Sequence, residues 1–172
     1  MRAIALLLLL FAFPASAAQK PVDLAPGRDA DKLAVTYTNA DGDKLSIWGR
    51  HEKDYAVLLA EFRPGGGREF ADEMPSYQLD TYKWPLETDW MRDQTAMGRD
   101  KWGDAEKSRI WWFVWSDTGN VLRRSMVGHS WLAAKSIIIN YRGADGTART
   151  ATFSLTGMRD AVVNAIGITV ED

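Results

Sequence analysis

The chain has 172 residues, no cysteine, and 21 basic against 23 acidic residues, for a formal net charge of -2. Without cysteine there is no disulfide, no thiol catalysis and no cysteine-ligated zinc. The charges are interspersed, so no basic run predicts nucleic acid as a partner, and no polybasic segment predicts a membrane surface.

The N-terminus has the pattern of an export signal. Arg2 precedes an apolar stretch over 3–13, which ends at Pro14 and is followed by Ala15-Ser16-Ala17. This stretch is shorter than the roughly 20 residues that a membrane-spanning helix needs. The pattern predicts a cleavable signal peptide over 1–17 and a periplasmic or secreted protein without a membrane span. The remaining length predicts a flexible leader over 18–31 and one domain over 32–172.

The first half of that domain is predicted to be β. Alternating apolar and polar residues predict strands over 33–37 and 45–47, joined by a turn at 39–43 that contains Asp41-Gly42. The apolar run 55–62 is typical of a strand covered on both faces, and the glycines 65–67 that follow predict a flexible loop. Another alternating strand is predicted over 77–84.

Residues 85–107 carry no clear pattern beyond a weak helical spacing within 87–97. A connection of this length inside a compact domain is uncommon and is often functional.

The second half begins with the strongest predicted strand, over 109–115. Both of its faces are apolar, which favours a central position: Ile110, Trp112 and Val114 would lie on one face and Trp111, Phe113 and Trp115 on the other. A turn at 117–120 and a returning strand over 121–127 follow. Strands over 136–141 and 147–155 flank a turn at 143–146.

Apolar residues at helical spacing then predict a C-terminal helix starting near Met158, with Thr156 as N-cap and Gly167 as its end. Together the elements predict an all-β (β-dominated) fold, a two-layer antiparallel β-sandwich with a short C-terminal helix.

Short motifs that resemble catalytic sites each lack an essential partner. The Asp-Thr-Gly triplet at 117–119 occurs once, whereas an aspartic protease needs two. The stretch 128–131 begins like a nucleophile elbow, but Leu132 stands where the second glycine belongs. The sequence therefore predicts no catalytic residue and no cofactor.

Metal-binding patterns are incomplete as well. Asn39, Asp41 and Asp43 begin like a calcium loop that lacks its later glycine and glutamate, which favours a hairpin turn. The polar stretch 51–54 and His129 show no metal-ligand spacing. No metal site is predicted.

Eight tryptophans are the most unusual feature. The three in the strand 109–115 are expected in the core. Exposed indoles can stack on sugar rings or contact partner side chains. The candidates for such a binding role are Trp84, Trp90, Trp102 and Trp131.

The C-terminal fifth of the chain resembles the invasion-associated locus B family of exported bacterial proteins. The resemblance is carried by 137–141 (Ile-Ile-Ile-Asn-Tyr), Gly146, 153–158 (Phe-Ser-Leu-Thr-Gly-Met) and Ala161. Members typically carry cysteines, which this chain lacks, and an aromatic residue where Met158 stands. The resemblance implies a small β-sandwich outside the cytoplasm without established catalysis, and it carries over no functional residue.

Three functions are open at this point. The favoured one is a non-enzymatic exported protein that binds another envelope macromolecule, either a protein or a glycan, since no catalytic motif is complete. The second is a small-ligand or glycan binder that uses tryptophan stacking. The third is a hydrolase built on carboxylates such as Asp80, Glu87, Asp89 and Asp93.

Overall fold

A computed structural model describes residues 31–51, 55–71, 73, 75–81, 108–118, 121–122 and 126–171. Strands dominate, as predicted. They are β1 (Asp31–Thr38), β2 (Lys44–His51), β3 (Tyr55–Arg63), β4 (Ser76–Leu79), β5 (Ile110–Thr118), β6 (Val121–Leu122), β7 (Ser136–Arg142), β8 (Ala148–Ser154) and β9 (Thr169–Val170). The helices within these ranges are α1 (Met126–Ala133) and α2 (Met158–Ile166).

The two main sheets are antiparallel. The first has the order β1-β2-β3-β5 and the second the order β4-β7-β8, while β6 and β9 form a short parallel pair. Both hairpins predicted from turn residues are present, with Gly42 and Gly146 at positive φ in the turns. The prediction of a β-dominated sandwich with a short C-terminal helix is confirmed.

An aromatic core joins the two sheets. The ring of Phe62 on β3 lies 5.3 Å from that of Tyr141 on β7 and 6.1 Å from that of Phe153 on β8. At the other side of the core, Tyr77 of β4 packs edge-on against Trp112 of β5, with centroids 5.4 Å apart. These contacts bury the inner faces of both sheets, where the apolar residues of the alternating pattern lie.

The centre of the first sheet, along β3, is buried on its outer face too, as the apolar run of β3 predicted. Leu33, Trp48, Leu59 and Phe113 face one another in a row across all four strands. Leu59 is fully buried, whereas Leu33 at the edge is 48% exposed. The buried Glu61, also on this face, receives a bond from the Nε of Arg63 at 2.6 Å and lies 3.6 Å from Arg109, which offsets the cost of burying its charge.

A bulge corrects one predicted orientation. Leu58 pairs with Trp115 and Leu59 with Phe113, so Val114 is an extra residue between these pairs. The extra residue shifts the alternation, and Trp115 joins Trp112 in the inner core instead of lying on the outer face. The prediction that the tryptophans of this strand are buried is confirmed, but the predicted face of Trp115 is wrong.

Four local predictions are also corrected. The strand expected over 121–127 stops at Leu122, and a helix begins at Met126, because β6 pairs with β9 and the following residues pack as α1. The strand expected over 77–84 ends at Leu79. Asp31, assigned to the leader, starts β1 and forms a buried ion pair of 2.5 Å with the Nε of Arg50.

The fourth correction concerns α2. Gly157 takes the N-cap position with φ 77°, and the hydroxyl of Thr156 bonds to Ser154 instead. Gly167 ends the helix as predicted, in the left-handed conformation, with its N–H donated to the carbonyl of Val163. Neither helix in the described part of the chain has the length and apolarity to cross a bilayer.

Helix α2 covers the end of the first sheet through a close approach at Gly49. A side chain at this position would overlap Cγ1 and Cδ1 of Ile166. Glycine is therefore required on β2 by packing against α2 and not by backbone conformation.

We expect Gly49→Ala to lower the free energy of unfolding by about 1–3 kcal/mol, because the added methyl overpacks the helix contact. Ile166→Ala removes the overlapping atoms, so the double variant should lose clearly less than the sum of the two single losses. Urea unfolding of the four proteins measures this coupling. Additive losses would contradict the contact.

Candidate binding surface

The outer face of the second sheet is a regular array of exposed polar side chains. Cross-strand pairing arranges it in rows of three. One row is Thr152–Ile138–Gln78 and the next is Thr150–Asn140–Ser76. We call these six residues the polar face.

The alternation of the strands creates this face. Ile137, Ile139 and Phe153 point into the core, so their neighbours in sequence must point outward. All members of the polar face are exposed except the half-buried Ser76, and Ile138, at 36% exposure, is its apolar member.

The polar face is uncharged and stiff. Thr150 donates its hydroxyl to the Oδ1 of Asn140 at 3.0 Å. Threonine is β-branched and has few χ1 rotamers, so little side-chain entropy is lost when its hydroxyl binds a partner. The face can therefore offer several positioned donors and acceptors at once.

Asp80 lies at one end of this face, and a cluster of charged residues lies at the other end. There, a depression of about 270 Å³ is lined by Glu73, Arg142 and Arg149 together with members of the polar face. Arg142 is already bound: its Nε donates to Glu73 at 2.8 Å and its Nη1 to the carbonyl of Gly146 at 2.8 Å.

A second depression, of about 280 Å³, adjoins the first because Arg149 lines both. Arg149 donates to the Oδ2 of Asp145 at 2.6 Å, and Asp145 also accepts the N–H of Thr147 at 2.9 Å. These two bonds, the backbone bond first, lower the pKa of Asp145 below its ordinary value.

Asp43 ties the loops at this end together. Its carboxylate, almost fully buried, accepts the N–H of Gly65 at 2.7 Å, the side-chain amide of Asn39 at 3.0 Å and a guanidinium N–H of Arg68. Gly65 packs directly against the backbone of Gly42, where a Cβ would collide. The loop predicted at 65–67 is present, and glycine is required at 65 by this close approach.

The same contacts explain the pattern at 39–43 that begins like a calcium loop. The oxygens of Asp43 are occupied by protein donors, and the Oδ1 of Asn39 accepts the N–H groups of Asp41 and Asp43. The turn is built by its own hydrogen bonds, as the sequence favoured. Among the residues with described positions, no group of three or more potential metal ligands occurs.

Of the tryptophans proposed as binding residues, Trp131 lies in the core. It is 0% exposed, its Nε1 donates to the hydroxyl of Tyr77 at 3.0 Å, and the two rings are 5.0 Å apart. Its indole offers no surface to a partner. Trp84, Trp90 and Trp102 lie outside the described residues, so their role stays a prediction.

Asp80, the one carboxylate of the proposed hydrolase set that is described, has a structural role. It accepts the backbone N–H of Lys135 at 3.0 Å and so holds the connection between α1 and β7. Glu87, Asp89 and Asp93 lie outside the described residues.

Comparison with known proteins gives no relative: no protein-family model, curated protein or solved structure matches this chain. The resemblance to the invasion-associated locus B family stays a prediction. The polar face itself was missed, although the alternation of Thr150, Thr152 and Ser154 with inward-facing residues was a signal that could have located it.

Asp43→Ala is expected to lower the free energy of unfolding by about 2–4 kcal/mol, because the N–H of Gly65 and the guanidinium of Arg68 lose a buried acceptor. Asp41→Ala is the matched control. The residue is exposed and contributes only its backbone to the same loop, so its loss should stay within about 0.5 kcal/mol. Equal losses in denaturant unfolding would show that Asp43 does not hold the loops.

The pKa of Asp145 is lower in the folded state than in the unfolded state. The ionised Asp145 therefore stabilises the fold at pH values above its ordinary pKa, and this stabilisation is lost as the pH falls through the pKa of the folded state. We expect an NMR titration of this carboxyl to have its midpoint below the ordinary value. In Arg149→Ala the midpoint should rise only part of the way, since the Thr147 N–H remains. A midpoint in the wild type at or above the ordinary value would contradict the turn geometry.

Proposed function

We propose that the protein is a non-enzymatic, exported binding protein that holds another envelope macromolecule on the polar face. The observation that supports this most directly is the double row of uncharged side chains on the second sheet, of which all but Ile138 can form hydrogen bonds and all but Ser76 are exposed. The first sheet, in contrast, is buried on both faces along β3.

The shape of the polar face and of the two depressions beside it favours an extended partner over a small ligand. Small-molecule sites are concave, mostly apolar and enclose most of their ligand. The two depressions, of about 270 and 280 Å³, each include charged residues, and their arginines already bind carboxylates. A flat row of hydrogen-bonding groups gives about 1 kcal/mol per bond, so useful affinity requires many contacts along a long partner.

Two further predictions belong to this proposal. The segment 1–17 would direct the chain out of the cytoplasm, which agrees with the locus B resemblance at the C-terminus. Trp84, Trp90 and Trp102 would provide additional contacts to the partner.

Asn140 lies at the centre of its row, and a charge there should disrupt binding. We expect Asn140→Glu to weaken binding at least tenfold, because the carboxylate must be desolvated against neutral partners. Asn164→Glu is the matched control, since Asn164 is equally exposed but lies on α2. Binding is measured as the fraction of purified protein that sediments with peptidoglycan sacculi and, separately, with washed envelope membranes.

Retention by sacculi would identify a glycan partner and retention by membranes alone a partner in that fraction. Equal binding of the Asn140 variant and the wild type, or no retention of the wild type by either fraction, would refute the proposal. A rise in melting temperature with free sugars or divalent metals would favour the small-ligand function instead.

A further inference from the structure

In the described part of the chain, β8 is an edge strand of the second sheet. Among the described residues, β8 pairs with β7 on one side and with no strand on the other. Its seven residues contain no proline, glycine or lysine, its one charged residue, Arg149, is bonded to Asp145, and its register with β7 has no bulge. Natural edges are usually blunted by such features, and β1 at the edge of the first sheet has both a bulge after Leu33 and the charged Lys32.

The backbone groups that face this free edge can be assigned from the ladder. Leu155 donates its N–H to Lys135, and Gly143 donates to Thr147 at the other end of the pair. Hydrogen-bonded pairs alternate in an antiparallel ladder, so the odd-numbered residues of β8 bond to β7. The N–H and C=O groups of the even-numbered residues, including Thr150 and Thr152, point away from β7.

We propose that this edge pairs antiparallel with β8 of a second copy of the chain. With the two-fold axis at Ala151, Thr150 faces Thr152 of the second copy, and the outward-pointing backbone groups bond to one another. The register brings no like charges opposite each other, and Thr–Thr pairs across antiparallel strands are favourable. The contact is self-complementary and closes as a two-fold dimer.

The dimer has a six-stranded sheet in the order β4-β7-β8-β8-β7-β4. Its outer surface joins the two polar faces into one, since side chains at paired positions point to the same side of a sheet. An extended partner would then bind both copies at once, which strengthens its binding through effective concentration. The pairing itself follows from the strand edge and does not depend on the proposed function.

The mass of the purified protein in solution, measured by light scattering over a wide concentration range, tests the dimer. The wild type should have twice the chain mass. Thr152→Pro removes an N–H that faces the partner but none that bonds to β7, so it should be monomeric. Thr152→Val keeps the backbone donor and the β-branched shape and should remain dimeric, which separates backbone pairing from hydroxyl contacts.

Cysteine cross-linking tests the register, and it does so in a protein without native cysteines. Residues 151 of the two copies would form a non-hydrogen-bonded pair with Cα atoms about 4.5 Å apart, within disulfide range. Residues 150 would be diagonal neighbours at roughly 7–8 Å, too far apart to bridge. Ala151 faces the core and is 0% exposed, so the oxidant must be small and able to diffuse into the protein. With such an oxidant Ala151→Cys should cross-link, and the exposed Thr150→Cys should not.

A wild type that is monomeric throughout, or a dimer that survives Thr152→Pro, would overturn the proposal. Cross-linking of Thr150→Cys but not of Ala151→Cys would exclude this register. Circular dichroism of each variant checks that it folds. If Thr152→Pro does not fold, the cross-link in Ala151→Cys, which keeps every backbone N–H group of β8, tests the pairing instead. The dimer is tested by molecular mass and the proposed function by binding to sacculi or membranes. Loss of binding in Asn140→Glu therefore does not affect the test of the dimer.

Discussion

The packing of Phe62 against the second sheet is the interaction on which the rest of the structure depends. Its ring contacts Phe70, Tyr141 and Phe153, with centroids 5.7, 5.3 and 6.1 Å away. A chain without disulfides depends on such burial for its stability. Once these rings define the inside of β7 and β8, the pleat places Asn140 and its neighbours outside, so the core also determines the polar face.

The two sheets differ in where their charged residues lie. This difference distinguishes the first sheet, a structural scaffold, from the second, which offers the candidate binding surface. The first sheet buries Glu61 and the Asp31–Arg50 pair on its outer side, where each charge has an opposite charge nearby. Removing one member of a buried pair is costly, since it leaves the other uncompensated. The second sheet carries its charged residues at its two ends and leaves its central rows neutral, which makes it the better surface for a partner bound by hydrogen bonds.

Local patterns predicted the strands well where period and turn residues agreed. The β7–β8 hairpin is an example, because alternating residues flank a turn that ends in Gly146. The prediction failed where contacts between residues far apart in the sequence determine the local structure. The face of Trp115 depends on the bulge at Val114, and α1 forms where Trp131 can reach Tyr77 across the core. A single sequence window contains neither contact.

The sequence by itself determined the fold class, the hairpins, the end of α2 at Gly167 and the burial of the tryptophans in β5, because these follow from side-chain period and from the conformations of single residues. Only the tertiary structure decided that Trp131 is internal, that Asp43 ties two loops together, and which edge and face of the second sheet are exposed. Those properties arise from contacts between residues far apart in the chain, whose energies depend on distance and burial and leave no local pattern.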